Sequence, residues 1–304
     1  MALARFFVEA VSADWRQGQC LDVPLSAADL RHATRALRLK PGEELELVPR
    51  GDWVVWRAEL VAVSEDVLRV KLVAASALPR LAFRLALVFG LAKGRKNDCI
   101  VRQATELGVD CLMPVIFTRS ITRPAAENIA ARSQRLREIV RAAAKQSHRA
   151  DIPQLADIAT FDEYLVQSFP HTPTASFPRK RESTQSGETL GLDSRVKPEN
   201  DNTLKPENDN NVPENDACGV TLVLWEETPT APLSTHPLLH NLPAHSTVTL
   251  VIGPEGGITH EEISALRTAG AHTASLGPTI LRVDTAAVAA LAVVRDVLLA
   301  RTAA

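Results

Sequence analysis

Residues 248–262 read VTLVIGPEGGITHEE, and this stretch decides the fold class. Its first half is a continuous apolar run, typical of a buried β-strand, that passes directly into a turn with three glycines. Thr259 and Glu262 have the spacing of a capping box, which predicts that a helix follows. In open α/β sheets ligands bind at the carboxyl ends of strands, so we predict a ligand-binding loop at Gly253–Gly257. A tight turn without a ligand would explain one or two of the glycines, and it explains Glu255 poorly.

A second loop of similar design spans residues 276–287, LGPTILRVDTAA. It places Gly277 at the end of a short strand-like run and carries Arg282 and Asp284 just before the last helical pattern. Asp284 suits either an N-cap or a functional carboxylate, and Arg282 suits either an exposed ion pair or a binding site. The residues alone leave both alternatives open.

Strand-like runs alternate with helical patterns from residue 81 onward. This alternation predicts a mostly parallel sheet with helices on both faces. Strands are predicted at 83–89, 111–117, 220–225, 247–252 and 272–276, and helices at 97–107, 127–148, 260–269 and 285–299.

The first 76 residues have a different pattern, in which apolar and polar side chains alternate between turn residues. Such alternation is typical of half-buried strands, and it predicts a small β-barrel-like domain over 1–76, followed by an α/β domain over 80–304. Its predicted elements are a short helix over 30–37, capped near Ser26, and strands at 44–48, 53–60 and 67–72.

Residues 171–219 interrupt the larger domain. The motif PENDN occurs at 198–202 and again at 206–210. The segment has few apolar side chains with which to offset the entropy of ordering it. We therefore interpret it as a disordered surface insertion rather than a recognition tail.

The chain has 34 basic and 36 acidic side chains among its 304 residues, a formal net charge of -2. The charges are unevenly spread, because residues 80–150 alone carry 14 basic and 5 acidic side chains. A basic block of this density is a candidate footprint for a polyanion such as RNA.

Several function classes lack their motifs. The segment GLAKGRKN at 90–97 has neither the glycine spacing nor the Gly-Lys-Ser/Thr of a phosphate loop, and no GxGxxG supports a dinucleotide site. His236, His240 and His245 lie in a proline-rich stretch without a carboxylate, so we expect loop histidines and no metal. The four cysteines form no CxxC pair, which fits a reducing cytoplasm. No stretch is long and apolar enough for a membrane helix.

Taken together, the two glycine loops and the segments at 87–115 and 142–153 resemble, in order and spacing, the ribosomal RNA small subunit methyltransferase E family. Near the N-terminus, the stretch ARFFV and residues His32 and Arg38 resemble the RNA-binding PUA-like domain of that family. The resemblance implies a C-terminal SPOUT-type domain, with a trefoil-knotted parallel sheet, and an N-terminal PUA-like β-barrel. It also implies a homodimer.

The implied activity is S-adenosylmethionine-dependent methylation of N3 of a uridine in 16S rRNA. Alternatives are a SPOUT enzyme that methylates a ribose 2′-OH or a tRNA base, and a non-catalytic RNA-binding protein of ribosome assembly. The glycine loops favour an enzyme, since an RNA binder has no need of them. The resemblance places the cofactor at Leu224, Gly253, Pro254, Glu255, Gly256, Gly257, Leu276, Gly277, Ile280 and Leu281.

Arg282 and Asp284 match the catalytic positions of the family. Arg282 is expected to stabilise negative charge that develops on the uracil oxygens, and Asp284 to orient Arg282 or accept the proton. Asp284 stands where the family more often has Glu, and Ala104 and Lys145 also depart from its pattern. Phosphate contacts are expected from Arg5, Arg35, Arg38, Lys93, Arg95, Lys96, Arg119, Arg123 and Arg149.

Overall fold

A computed structural model describes residues 3–9, 14–64, 66–78, 81–169, 219–226 and 231–302. The predicted disordered insertion at 171–219 lies, apart from Gly219, outside these residues. Within them, no helix is long and apolar enough to cross a membrane.

The N-terminal residues form a curled five-stranded half-barrel with strand order β1-β3-β4-β5-β2. β1 pairs with β3 in parallel, and the other neighbours are antiparallel. The inner face is apolar, with Phe6, Leu45 and Leu68 fully buried. The strands are β1 (Ala4–Val8), β2 (Cys20–Pro24), β3 (Glu44–Pro49), β4 (Val54–Val63) and β5 (Val67–Ala77).

The larger domain contains a seven-stranded parallel sheet, as the alternating pattern predicts. Its order is β12-β10-β11-β6-β7-β8, with β9 also paired to β7. The central strands are buried along almost their whole length, which requires helices on both faces. The strands are β6 (Arg84–Gly90), β7 (Cys111–Ile116), β8 (Gln154–Leu155), β9 (Ala159–Thr160), β10 (Val220–Leu224), β11 (Thr247–Ile252) and β12 (His272–Ala274).

Two apolar clusters, one on each face of the sheet, form the core of this domain. Leu87 and Leu250 belong to the cluster under α2 and α7, whereas Val88 and Val251 belong to the cluster under α4 and α6. Alternate residues of each strand therefore point to opposite cores. The helices are α1 (Ala27–Arg31), α2 (Lys96–Glu106), α3 (Ala126–Gln146), α4 (Phe161–Ser168), α5 (Pro237–His240), α6 (His260–Thr268) and α7 (Val283–Thr302).

The two domains contact each other through α3. Lys145 on α3 forms an ion pair with Asp29 of the small domain, whose side chain is buried. Phe7 and Val48 of the half-barrel pack against Ala144 in a small apolar cluster. The contact combines apolar burial with a paired charge, so it fixes the half-barrel on the α/β domain.

The predicted elements differ from the observed ones mainly at their ends. Ser26 caps α1 as expected, accepting a hydrogen bond from the Asp29 N–H at 3.1 Å, but the helix then changes to a π-helical turn at His32–Ala36. α4 was missed, although Thr160 and Glu163 form a capping box at its start. A helix of eight residues shows too few turns for its periodicity to stand out.

Candidate functional site

The first glycine loop connects β11 to α6. The Thr259 hydroxyl accepts a hydrogen bond from the Glu262 N–H at 3.2 Å, and the Glu262 carboxylate accepts one from the Thr259 N–H at 2.9 Å. This is the capping box that the sequence predicts. The same carboxylate accepts a hydrogen bond from the Thr118 N–H at 2.7 Å, which ties the start of α6 to the end of β7.

The glycines of this loop serve close backbone packing. A Cβ atom on Gly256 would lie 2.7 Å from the carbonyl oxygen of Arg119. A Cβ on Gly90, at the end of β6, would lie 2.3 Å from the nitrogen of Pro254. Neither position can accept a side chain without backbone movement. The loop is therefore held by the ends of β6 and β7 as well as by its own turn.

Glu255 links this loop to the segment after β6. Its Oε1 atom accepts hydrogen bonds from the Lys93 N–H at 3.0 Å and from the Lys96 ammonium at 2.8 Å. Burial alone would raise the pKa of Glu255, but these hydrogen bonds outweigh burial and hold its pKa below the usual range. The other carboxylate oxygen, Oε2, is buried with no partner among the described residues. The ionised Glu255 side chain therefore connects the loop to the segment after β6.

The second loop, between β12 and α7, is open. Gly277 has φ +111, a conformation that favours glycine, and its N–H donates to the Ser275 hydroxyl at 3.0 Å. A Cβ on Gly277 would meet no atom within 4 Å. Ile280 is 76% exposed, the highest value among the large apolar side chains of the described chain. This loop therefore exposes an apolar side chain to solvent instead of burying it.

The two loops enclose a cavity of about 380 Å³ at the carboxyl ends of β10 and β11. All ten residues that the resemblance assigns to the cofactor lie on its wall, and so does Arg282. Trp225 and Glu226, which follow β10, also line the cavity and were not predicted from the sequence. They adjoin the Leu224 position, but nothing in their local pattern marks them as site residues.

Asp284 is placed differently from Arg282. It lies in the first turn of α7, where a carboxylate is favoured by the helix dipole, and it does not line the cavity. Its Oδ1 atom is buried without a hydrogen-bond partner in the described chain. No hydrogen bond or ion pair between Arg282 and Asp284 occurs there either, so this structure does not show Asp284 orienting Arg282.

Four of the basic residues expected to contact RNA surround the cavity. Lys96 and Arg119 are on its wall, and Lys93 and Arg95 are exposed beside Lys96. Arg123 is exposed and donates to the Thr118 carbonyl at 2.7 Å. Because they follow β6 and β7, these cations share the carboxyl edge of the sheet with the glycine loops. Two further expected residues, Arg35 and Arg38, are exposed on the small domain.

The structure corrects the expectation for Arg5 and Arg149. The Arg5 guanidinium is buried, 2.7 Å from Glu46, and it donates to the carbonyl of Arg149 at 2.8 Å. Arg149 pairs with Asp151 at 2.9 Å and donates to the Thr105 carbonyl at 3.0 Å. Arg5 therefore links the small domain to the larger one, and Arg149 is satisfied within the larger domain. Since both guanidinium groups are occupied by internal acceptors, they are not available to phosphate.

His236, one of the three histidines of the proline-rich stretch, lies in the protein interior. His236 is buried at the start of α5 and packs edge-on against His272, with ring centroids 6.4 Å apart. Burial and the neighbouring imidazole lower the pKa of His236. No group of three His, Cys, Asp or Glu residues placed to hold a metal ion occurs within the described ranges.

Solved structures share this architecture. The methyltransferase Lpg2936 from Legionella pneumophila has a TM-score of 0.70 at 23% identity, covering 97% of this chain and 98% of its own. A ribosomal RNA small subunit methyltransferase E from Neisseria gonorrhoeae has a TM-score of 0.69 at 22% identity, with the same coverage. Both were determined with S-adenosylmethionine bound. These likenesses confirm the expected fold class, a SPOUT-type α/β domain with a PUA-like N-terminal domain.

Relatives with similar sequences carry one shared name. Ribosomal RNA small subunit methyltransferase E of Bacillus subtilis is 23% identical over 295 residues, covering 96% of each chain. The protein of that name from Mycobacterium bovis is 29% identical over 266 residues, covering 86% of this chain and 82% of its own. The resemblance inferred from the motifs is confirmed.

Family models match both domains. One described as an RNA methyltransferase PUA domain matches residues 25–73. One described as an RNA methyltransferase domain matches residues 79–204 and 203–295, well over half of the chain. This chain therefore belongs to the RNA methyltransferase family.

Proposed function

We propose that the chain transfers a methyl group from S-adenosylmethionine to N3 of a uridine in the 16S rRNA of the small ribosomal subunit. The observation that carries the proposal is the cavity between the two glycine loops, whose wall includes every residue expected to hold the cofactor. Family membership supports methyl transfer to RNA, and the names of the relatives support small-subunit rRNA as the substrate.

The cavity suits the proposed cofactor in size and lining. Its volume of about 380 Å³ falls within the range of small-molecule sites. Leu224, Leu276 and Ile280 offer an apolar wall, while the exposed backbone of the loops offers hydrogen-bonding groups. When bound, S-adenosylmethionine supplies an electrophilic methyl group on a sulfonium.

The protein contributes mainly by positioning and by electrostatics. The rigid first loop fixes the site relative to β6 and β7, which favours alignment of the acceptor nitrogen with the methyl carbon. Arg282, on the cavity wall, stabilises the negative charge that develops on the uracil oxygens once N3 loses its proton. Asp284 is not on the wall, so we assign it to the start of α7 and leave the proton acceptor unassigned.

The RNA face of the proposed enzyme is the carboxyl edge of the sheet. Lys93, Arg95 and Arg123 are exposed there, and Arg119 reaches the cavity itself. These cations suit phosphates on either side of a base that enters the cavity. The homodimer, the trefoil knot and the cytoplasmic location stay predictions from the resemblance.

Labelled S-adenosylmethionine and small ribosomal subunits that lack the modification provide the test. We expect the label on N3 of one uridine of 16S rRNA. Arg282→Gln should lower kcat about 100-fold or more, with cofactor affinity nearly unchanged, because its guanidinium acts on the transition state. Arg102→Gln, an exposed residue on α2 outside the cavity wall, is the matched control. Label on a ribose or on tRNA, or no label, would contradict the proposal.

A further inference from the structure

A second cavity, of about 490 Å³, lies between the small domain and the amino end of the parallel sheet. Trp53 lines it from the small domain, and Arg84 and Asp110 line it from the amino ends of β6 and β7. Arg295 reaches it from α7. β6 has seven residues, so roughly 20 Å of strand separates this interdomain cavity from the glycine loops. The two cavities share no lining residue.

The polar wall of the interdomain cavity has an excess of positive charge. Arg149 and Asp151 neutralise each other, with Nη2 2.9 Å from Oδ1. Arg84 is exposed, whereas the Nε of Arg295 is buried without an acceptor in the described chain. The remaining acid is Asp110. Two guanidinium groups therefore face one carboxyl group.

Asp110 is a weak counterion for these arginines. One of its oxygens accepts a hydrogen bond from the Leu85 N–H at 2.7 Å. Burial raises the pKa of its carboxyl group, which means that burial disfavours the charged form. Arg295 keeps its unsatisfied Nε beside Gly108, where a Cβ would lie 3.7 Å from that atom. A buried donor without a partner is uncommon in folded proteins.

Other residues that line the cavity are apolar, and one of them has a strained backbone. Phe83 and Ile152 line it together with Trp53. Trp53 has φ 52, a left-handed conformation that bulky residues seldom adopt, and it borders the interdomain cavity. Strained residues cluster at ligand sites, where the fold holds a side chain in a required place.

We propose that the interdomain cavity binds a single nucleotide unit, with its phosphate at Arg295 and Arg84 and its base against Trp53. Guanidinium groups match phosphate oxygens, and aromatic side chains stack on bases of any sequence. The volume lies in the range of small-ligand sites. The unit is either a free mononucleotide or a nucleotide of an RNA chain. The RNA source, unlike the free one, rests on the proposed function.

Calorimetric titration of the full-length protein with UMP, AMP and inorganic phosphate tests the free source. We expect one mononucleotide per chain, bound at least tenfold more tightly than phosphate. Arg295→Gln should weaken binding tenfold or more, and Trp53→Leu should weaken it while leaving phosphate binding unchanged. Arg102→Gln, an exposed residue away from the cavity, is the matched control. Unchanged melting temperature and unchanged S-adenosylmethionine affinity show that each variant is folded.

The RNA source is tested with the same variants and small ribosomal subunits. If mononucleotides do not bind, Arg295→Gln should still weaken subunit binding at least tenfold more than Arg102→Gln does. The proposal is overturned if neither mononucleotides nor small subunits distinguish these two variants. It is also overturned if phosphate binds and mononucleotides bind no more tightly than phosphate does. Failure of the proposed function would appear separately, as absence of methyl transfer by the wild-type protein.

Discussion

The two loops that enclose the cofactor cavity use glycine in opposite ways. In the first loop, Gly256 is in backbone contact with Arg119, and Pro254 is in contact with Gly90. In the second loop, Gly277 has open space around it and is required only by its positive φ. The first loop is therefore built into the sheet edge, and the second is left free to present its side chains.

The glycines of the two loops therefore have different roles, packing within the protein and ligand contact, which the sequence pattern alone does not distinguish. Glycine-rich turns after strands suggest that a ligand approaches the backbone closely. In the first loop, the close approach is made by the protein itself, so those glycines position the site. The exposed Ile280 of the second loop is the more direct candidate for ligand contact. Four substitutions test whether the two loops differ in this way.

The largest effect is expected for Gly90→Ala. The added Cβ would overlap the Pro254 backbone, so we expect a loss of about 3 kcal/mol in the free energy of unfolding and loss of cofactor binding. Chemical denaturation and calorimetry measure the two effects. Gly94→Ala is the control, because a Cβ there meets no atom within 4 Å and only the strain of φ +73, about 1 kcal/mol, opposes it. Equal losses in the two variants would show that close packing is not what Gly90 provides.

Ile280→Ala should act on binding and leave folding unaffected. The side chain is 76% exposed, so the free energy of unfolding should change by less than about 0.5 kcal/mol. If the cofactor covers it, affinity for S-adenosylmethionine should fall about tenfold, as expected for about 1.5 kcal/mol of lost apolar burial. Ile121→Ala, 66% exposed and outside the cavity, should leave affinity unchanged. If both variants bind S-adenosylmethionine with similar affinity, Ile280 does not contact the cofactor.

Gly277→Ala should have a smaller effect on stability than Gly90→Ala. The new side chain meets no neighbour, and only the strain of φ +111 opposes it. We expect a loss of about 1 kcal/mol in the free energy of unfolding. A loss as large as that of Gly90→Ala, measured by the same denaturation, would mean that the second loop is as tightly packed as the first.

The smallest effect concerns the ion pair between Glu255 and Lys96, and it depends on pH. Because the folded chain lowers the pKa of Glu255, the Lys96 contact stabilises the protein above the unfolded pKa of about 4.3, and this contribution is lost as the pH falls through the lower folded value. Lys96→Met should therefore cost about 0.5 kcal/mol at pH 7, and this cost should shrink as the pH falls below about 4. Lys93→Met, which keeps the backbone hydrogen bond to Glu255, is the control. A difference independent of pH would exclude the ion pair as its cause.

The sequence was sufficient for features set by nearby residues. The capping box of Thr259 and Glu262, the strand ending at Ile252 and the loop of Gly277 are all short-range patterns, and the structure contains each of them. Apolar runs also predicted a parallel sheet, because strands buried on both faces have continuous apolar sequences. These features require no knowledge of distant contacts.

Features that depend on distant partners could not be predicted in this way. Arg5 is neutralised by Glu46 and bonded to the carbonyls of His148 and Arg149, more than 140 residues away in sequence. A count of charges cannot distinguish such a buried guanidinium from one that faces RNA. The packing role of Gly90 is equally hidden, because its contact, Pro254, follows a different strand.

A crystal structure of the protein with S-adenosylmethionine would show directly which loops hold the cofactor. We expect one cofactor per chain, lying between Gly253–Gly257 and Leu276–Leu281 and in contact with Ile280. A cofactor bound in the interdomain cavity, or bound without contact to both loops, would contradict this expectation.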